Sequence, residues 1–161
     1  MCLYLDKQAL LKRVRESRAE LEALLAEFDD ARMDESHPPD GWSVKDTLAH
    51  IAYWEGYALA RFREAARGEK PQMLGAISEA EINRINQEAL KAGRARSLDE
   101  VKAAFRQTHQ ALWDELAAIP ENRGDAWWAL WPEPDTPWNL ITYNTYHHYG
   151  EHIQTLQTWR Q

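Results

Sequence analysis

The sequence predicts an all-α fold, a bundle of four long helices with one shorter helix inserted. Three observations lead there. Apolar residues recur at three- and four-residue spacings through five separate segments, the signature of helices with one buried face. Three of those segments open on a serine followed three residues later by an acid, the spacing at which two side chains satisfy amides orphaned at a helix start. No segment carries the alternation of a half-buried strand. At 161 residues the chain is long enough to bury one core and too short for two, so a single domain over residues 1–161 is expected.

Each element follows in order. The first helix reads "DKQALLKRVRESRAELEALLAEFDD", with Asp6 as its N-cap and Leu10, Leu11, Val14, Leu21, Leu24, Leu25 and Phe28 as its stripe. "ARMDESHPPDGW" breaks the pattern with two prolines and a glycine, and His37 within it is expected to face solvent. The second helix starts at Ser43 and Asp46, buries Leu48, Ile51, Ala52, Leu59 and Phe62, and stops at Gly68. Its interior Gly56 suggests a close helix contact. The shorter, polar helix runs from Ser78 and Glu81 to Gly93 and is expected to cover one end of the bundle. The next runs from Ser97 and Glu100 to Pro120, and His109 on it is either half-buried or solvated. "PENRGDAWWALWPEPDTP" is a long loop, and its aromatic run argues that it packs down. Thr136 as N-cap and Pro137 at the first helical position begin a last helix expected to continue nearly to the end of the chain.

The bulk numbers exclude several classes. The formal net charge is −7, from 26 acids against 19 Lys and Arg, so no nucleic-acid partner is expected. No stretch approaches the ~18 consecutive apolar residues of a membrane span, so no membrane partner is expected either. The N-terminus lacks the apolar core and cleavage pattern of a secretory leader, and the one cysteine, Cys2, provides neither a disulfide framework nor a thiolate metal site. A cytoplasmic location fits. Eight tryptophans are many for this length, and most are expected in the core. Trp127, Trp128 and Trp131 are candidates to wall an apolar pocket, with Tyr53, Trp54, Tyr57, Tyr143 and Tyr146 as further lining.

The chemistry concentrates in "YHHYGEH". His148 and His152 are four apart, so a helix puts both imidazoles on one face, where they can chelate one ion. His147 points elsewhere. A third ligand must come from a facing helix, and His50, in "TLAHIAYWE", is the candidate. Whether its depth matches depends on helix direction and offset. Glu55 and Glu151 lie off the ligand faces and are candidates to orient the imidazoles from behind.

These stretches together resemble a known superfamily. "GWSVKDTLAHIAYWE" and "YHHYGEHIQTLQ" resemble, in order and separation, the two signatures of the DinB/YfiT-like proteins. The resemblance covers nearly the whole chain. It implies an up-down-down-up four-helix bundle, often a homodimer, with a divalent transition metal (Zn, Ni, Fe or Mn) held by three histidines, here His50, His148 and His152. It implies an enzyme in which metal-bound water or a low-molecular-weight thiol acts on an electrophilic small-molecule substrate, as a thiol transferase or hydrolase. "KQALLKRVRESRAELEALL" also resembles the ClbS/DfsB branch, which implies hydrolysis of a reactive toxin without a metal. A non-enzymatic, ligand-binding dimer is the third alternative.

Overall fold

The computed structural model describes residues 6–160; Cys2 lies outside them. Seven α-helices follow one another: α1 Lys7–Leu25, α2 Asp30–Met33, α3 Val44–Ala66, α4 Glu79–Arg94, α5 Leu98–Ala117, α6 Thr136–Asn144 and α7 Tyr146–Trp159. Three of the five predicted starts are built as the sequence predicts. Asp6 accepts from the Ala9 amide at 2.7 Å. Ser43 with Asp46, and Ser97 with Glu100, form reciprocal capping boxes. Ser78 accepts from the Glu81 amide but the return bond is not made. Each such cap is worth ~1 kcal/mol.

The apolar stripes meet in two clusters, and cluster membership gives the chain direction. One holds the end of α1 (Leu21, Leu24, Leu25), the starts of α3 and α5 (Leu48, Ile51, Val101, Phe105) and α7 (Tyr149, Ile153, Leu156). The other holds the start of α1 (Leu10, Leu11, Val14), the ends of α3 and α5 (Leu59, Phe62, Leu112, Leu116) and α6 (Leu140, Ile141). So α1 and the α6–α7 arm run one way and α3 and α5 the other: up, down, down, up. The parallel pair α3 and α5 needs a return path, and α4 is that path.

This corrects the place expected for the inserted helix. It lies along the flank of α3 instead of across one end: Trp54 Nε1 donates to Asn86 at 3.0 Å, and Gly93 meets Ala49. A Cβ on Gly93 would fall 2.7 Å from Ala49 Cβ, whereas one on Gly56 would meet Thr108 at an ordinary 3.8 Å. The glycine that permits close helix approach is therefore Gly93, while Gly68 ends α3 with φ +76° as expected.

Three further expectations change. The last helix is broken at Thr145, whose φ −129° and ψ −109° leave the helical region. Asn144 Nδ2 and Thr145 Oγ1 donate to the carbonyls of Leu140 and Ile141, each four residues back. These side chains occupy acceptors that a continuous helix reserves for its own amides. At the front of α6, Asp135 is the cap residue and Thr136 already helical, one position earlier than expected. His37 is half-buried instead of solvated, its ring stacked on Trp159 with centroids 4.5 Å apart.

The aromatic loop packs down. Trp131 is buried, Trp127 and Trp128 pack on the second cluster, and Trp128 Nε1 donates to Pro120 O at 3.1 Å. No helix among the described residues is long and apolar enough to cross a membrane.

Candidate metal centre

His50 sits in the second turn of α3, its ring held edge-on by Trp42 with centroids 5.2 Å apart. His148 and His152 project from consecutive turns of α7. Because α3 and α7 are antiparallel neighbours, the three rings meet. His50 Nε2 lies 2.9 Å from His148 Nε2, and His152 Nε2 lies 3.0 Å from the same atom. All three sets of ligand atoms fall within 4.8 Å of one another. His50 and His148 are only 9% and 8% exposed, and His152 is half-buried.

Hydrogen bonding alone does not satisfy this arrangement. A neutral imidazole nitrogen is either one donor or one acceptor. His148 Nε2 faces two other nitrogens, so whichever tautomer it takes, one of the two contacts lacks its complement. A cation receiving three lone pairs removes that conflict. Two nitrogens bound at ~2.1 Å around a tetrahedral ion sit roughly 3.4 Å apart, close to the separations found. The donor set therefore fits a divalent transition ion. Protonation is disfavoured as well. Burial, then the charge of a neighbouring histidine, lowers His50 and His148 to about 3 from the ordinary 6.5, and the same causes lower His152 to about 3. At neutral pH all three are ligand-competent imidazoles.

The outer partners differ from expectation. Glu151 is exposed and stands 3.9 Å from His147, which is itself half-exposed and turned away from the other three. Glu55 is fully buried, but its bonds run elsewhere. It accepts from Arg18 Nη1 at 3.1 Å, pairs with His109 Nδ1 at 3.0 Å, and accepts from the Tyr149 hydroxyl. Arg18 also donates to Glu22 and to Phe105 O. Burial, then the Glu55 charge, pushes the Tyr149 phenol well above its ordinary range, so it keeps its proton and donates. The outward Nδ1 atoms of His50 and His148 are buried and meet no hydrogen-bond partner among the described residues.

This four-residue constellation was missed in the sequence, although a signal was present. Arg18 lies on the α1 stripe between Val14 and Leu21, Glu55 between Ile51 and Leu59 on α3, and His109 between Phe105 and Leu112 on α5. An ionisable residue at a stripe position is forced inward and must find a partner.

The aromatic pocket does not adjoin the histidines. A cleft of about 470 Å³ is lined by Phe62, Ala65, Glu115, Trp127 and Leu130. At 1.5 Å per residue Phe62 lies about 18 Å along α3 from His50. Of the tyrosines and tryptophans expected to line a pocket, Tyr53 and Tyr143 are exposed, Trp54 is tied to Asn86, Tyr57 OH accepts from the Leu74 amide, and Tyr146 OH bonds Thr142.

Comparison with known proteins adds fold and family. A search of curated proteins by sequence finds no match. Among solved structures, the fold resembles colibactin self-resistance protein ClbS in complex with a dsDNA (TM-score 0.78, 16% identity, 96% of this chain and 95% of that one). It also resembles an uncharacterised protein from Escherichia coli UTI89 (0.73, 18%, 96% and 92%) and one from Clostridium difficile 630 (0.76, 12%, 98% and 96%). The first of these overturns the exclusion of nucleic acid from the partners. That exclusion rested on net charge, and a bundle of this fold is found on duplex DNA, so the charge sum is not a sufficient ground. The model of the DinB superfamily matches residues 13–156, and the chain belongs to that superfamily.

Proposed function

We propose that His50, His148 and His152 hold a divalent transition metal and that the protein is a metal-dependent enzyme acting on an electrophilic small molecule. The observation that carries this reading is the convergence of three neutral imidazole nitrogens, two buried and one half-buried, on one point from two helices. Held by these three imidazoles, a divalent ion would supply the acidification of water or a thiol that yields a nucleophile at neutral pH.

The chain's own contribution is the arrangement of donors. His148 and His152 form the i, i+4 pair, and His50 closes the site from the opposite helix. Trp42 fixes the His50 ring from the side. Half-buried His152 marks the side on which a small molecule reaches the site.

Protein purified without a histidine tag should carry Zn, Ni, Fe or Mn near one ion per chain by elemental analysis. His148→Ala should lose it. Absence of metal in the wild type after reconstitution sinks the reading. Turnover of an electrophile that survives complete chelation, with no thiol consumed, would move the protein to metal-independent hydrolysis.

Duplex DNA is a second reading, favoured by the likeness to ClbS bound to dsDNA. Anisotropy of a labelled duplex at low salt tests it, because phosphate contacts are strongest there. No binding at 20-fold or greater protein excess removes it.

A further inference from the structure

We propose that Arg18, Glu55, His109 and Tyr149 are positioning residues. They set the register of α7 against α3 and so bring His50 opposite His148 and His152. The inference rests on the metal reading for its functional meaning, and its structural part stands without any metal.

One residue comes from each long helix: Arg18 from α1, Glu55 from α3, His109 from α5 and Tyr149 from α7. They occupy the level between the two apolar clusters. On α1 the clusters meet between Val14 and Leu21, on α3 between Ala52 and Ala58, and on α5 between Phe105 and Leu112. Glu55 and Tyr149 are completely buried and Arg18 is 3% exposed.

The apolar stripe of α7 does not by itself select one register. Tyr149, Ile153 and Leu156 follow one another at helical spacing, so a slip of one turn puts one apolar group where another was. The break at Thr145 means that α7 does not inherit its setting from α6. A slip of one turn would replace the Tyr149 hydroxyl facing Glu55 Oε1 with Ile153, which has no donor, or with Thr145, whose shorter hydroxyl already donates to Ile141 O. It would weaken the bonding of a carboxylate whose Oε2 meets no partner among the described residues. A polar tie of this kind selects one register where apolar packing is degenerate.

The tie also lies close to the histidines. Glu55 is about 7.5 Å along α3 from His50, at 1.5 Å per residue. Tyr149 follows His148 directly and, like all helical side chains, leans toward the helix N-terminus, which here is the direction of Glu55. A one-turn slip would carry Asn144 to the place of His148 and His148 to that of His152, leaving two histidines where three now meet.

The test uses the full chain with Cys2→Ser and spin labels at Arg63 on α3 and Glu151 on α7, both exposed. Distances are read in metal-free protein by pulsed electron resonance. The otherwise unchanged chain should give one narrow distribution. Tyr149→Phe, which keeps the ring, and Glu55→Gln should each broaden it or add a population shifted by up to one helical turn, about 5 Å. Leu112→Ala in the second cluster should lower stability and leave the distribution narrow. Unchanged distributions in Tyr149→Phe and Glu55→Gln overturn the inference. A Co²⁺ titration then reads the consequence. Tyr149→Phe should weaken Co²⁺ binding at least 10-fold and alter its visible absorption, whereas Leu112→Ala should do neither. Equal affinity in Tyr149→Phe and wild type overturns the functional part. Failure of the wild type to bind Co²⁺ overturns the metal reading instead, and the spin-label distances still decide the register.

Discussion

Two polar clusters are buried in this bundle, one turn and a half apart along α3, and they are built on opposite logic. The Arg18–Glu55–His109–Tyr149 cluster combines a cation, an anion, a phenol and an imidazole. Opposite charges and complementary donors leave little unsatisfied on the Glu55 oxygen that receives them. The His50–His148–His152 cluster combines three copies of one group, all neutral, with their nitrogens facing each other. At most one of the two nitrogen–nitrogen contacts in the second cluster can be a matched hydrogen bond. A cluster whose unlike groups meet one another's needs reads as structure, even though Glu55 Oε2 is buried and meets no hydrogen-bond partner among the described residues. A cluster whose partner is missing from the chain reads as a site.

That difference gives opposite signs for substitution. The largest effect is expected at Arg18. Arg18→Met leaves Glu55 charged and buried without its cation, and removing one partner of such a pair costs ~3–5 kcal/mol. Urea unfolding of the chelated protein measures it. Arg18→Met combined with Glu55→Leu should be less destabilised than Arg18→Met alone. If the double variant is the worse of the two, the pair is not the unit proposed.

His148→Leu should go the other way. With chelator present, removing the imidazole abolishes the unmatched contact with two neighbours and one orphaned Nδ1. Leaving a buried polar group unsatisfied costs ~1–3 kcal/mol, so the metal-free variant should be as stable as wild type or more so by up to that amount. Metal binding should be lost in the same variant. A loss of stability as large as that of Arg18→Met would make the triad a structural network and erase the contrast.

The two clusters were also unequally legible in the sequence. His148 and His152 are local, four apart on one helix, so spacing alone placed them on one face. His50 is about a hundred residues away, and its meeting with them depends on an antiparallel offset that no local pattern encodes. The resemblance to the superfamily supplied that link. The mixed cluster was visible only as Arg18, Glu55 and His109 interrupting three apolar stripes, with no signal that the interruptions share one level. The path of α4 was hidden for a similar reason. Its polar sequence admits an end cover or a flank, and the choice is made by Gly93 against Ala49, a contact between helices. The break at Thr145 competed with strong helical periodicity on both sides, and two i−4 side-chain bonds decided it.

A pH profile separates the clusters more finely. His50 and His148 have folded values of about 3 against an ordinary 6.5. Between those limits the unfolded chain binds protons that the folded chain refuses. The stability they contribute is therefore complete above pH 6.5 and is lost as the pH falls toward 3. For one such histidine the slope is ~1.4 kcal/mol per pH unit. Chelated wild type should lose stability steeply from pH 6.5 downward, and His50→Leu with His148→Leu should flatten that limb. His152, likewise lowered to about 3, should keep its share of the slope in the double variant. An unchanged limb in the double variant would assign the acid sensitivity to groups outside the triad.

The smallest effect tests the geometry most narrowly. His147 and His148 are adjacent and chemically identical, and only helix rotation, ~100° per residue, distinguishes them. His147 is about half-exposed, stands 3.9 Å from an exposed Glu151 and sits beside the Tyr143 ring with centroids 5.4 Å apart. An exposed i, i+4 pair of this kind contributes ~0.3–0.5 kcal/mol at most. His147→Ala should therefore change stability within that range and leave metal stoichiometry and affinity as in wild type. Loss of metal in His147→Ala would mean that α7 is rotated in solution by about one residue relative to α3. The Glu55–Tyr149 bond could not survive that rotation, so the same result would break both clusters at once.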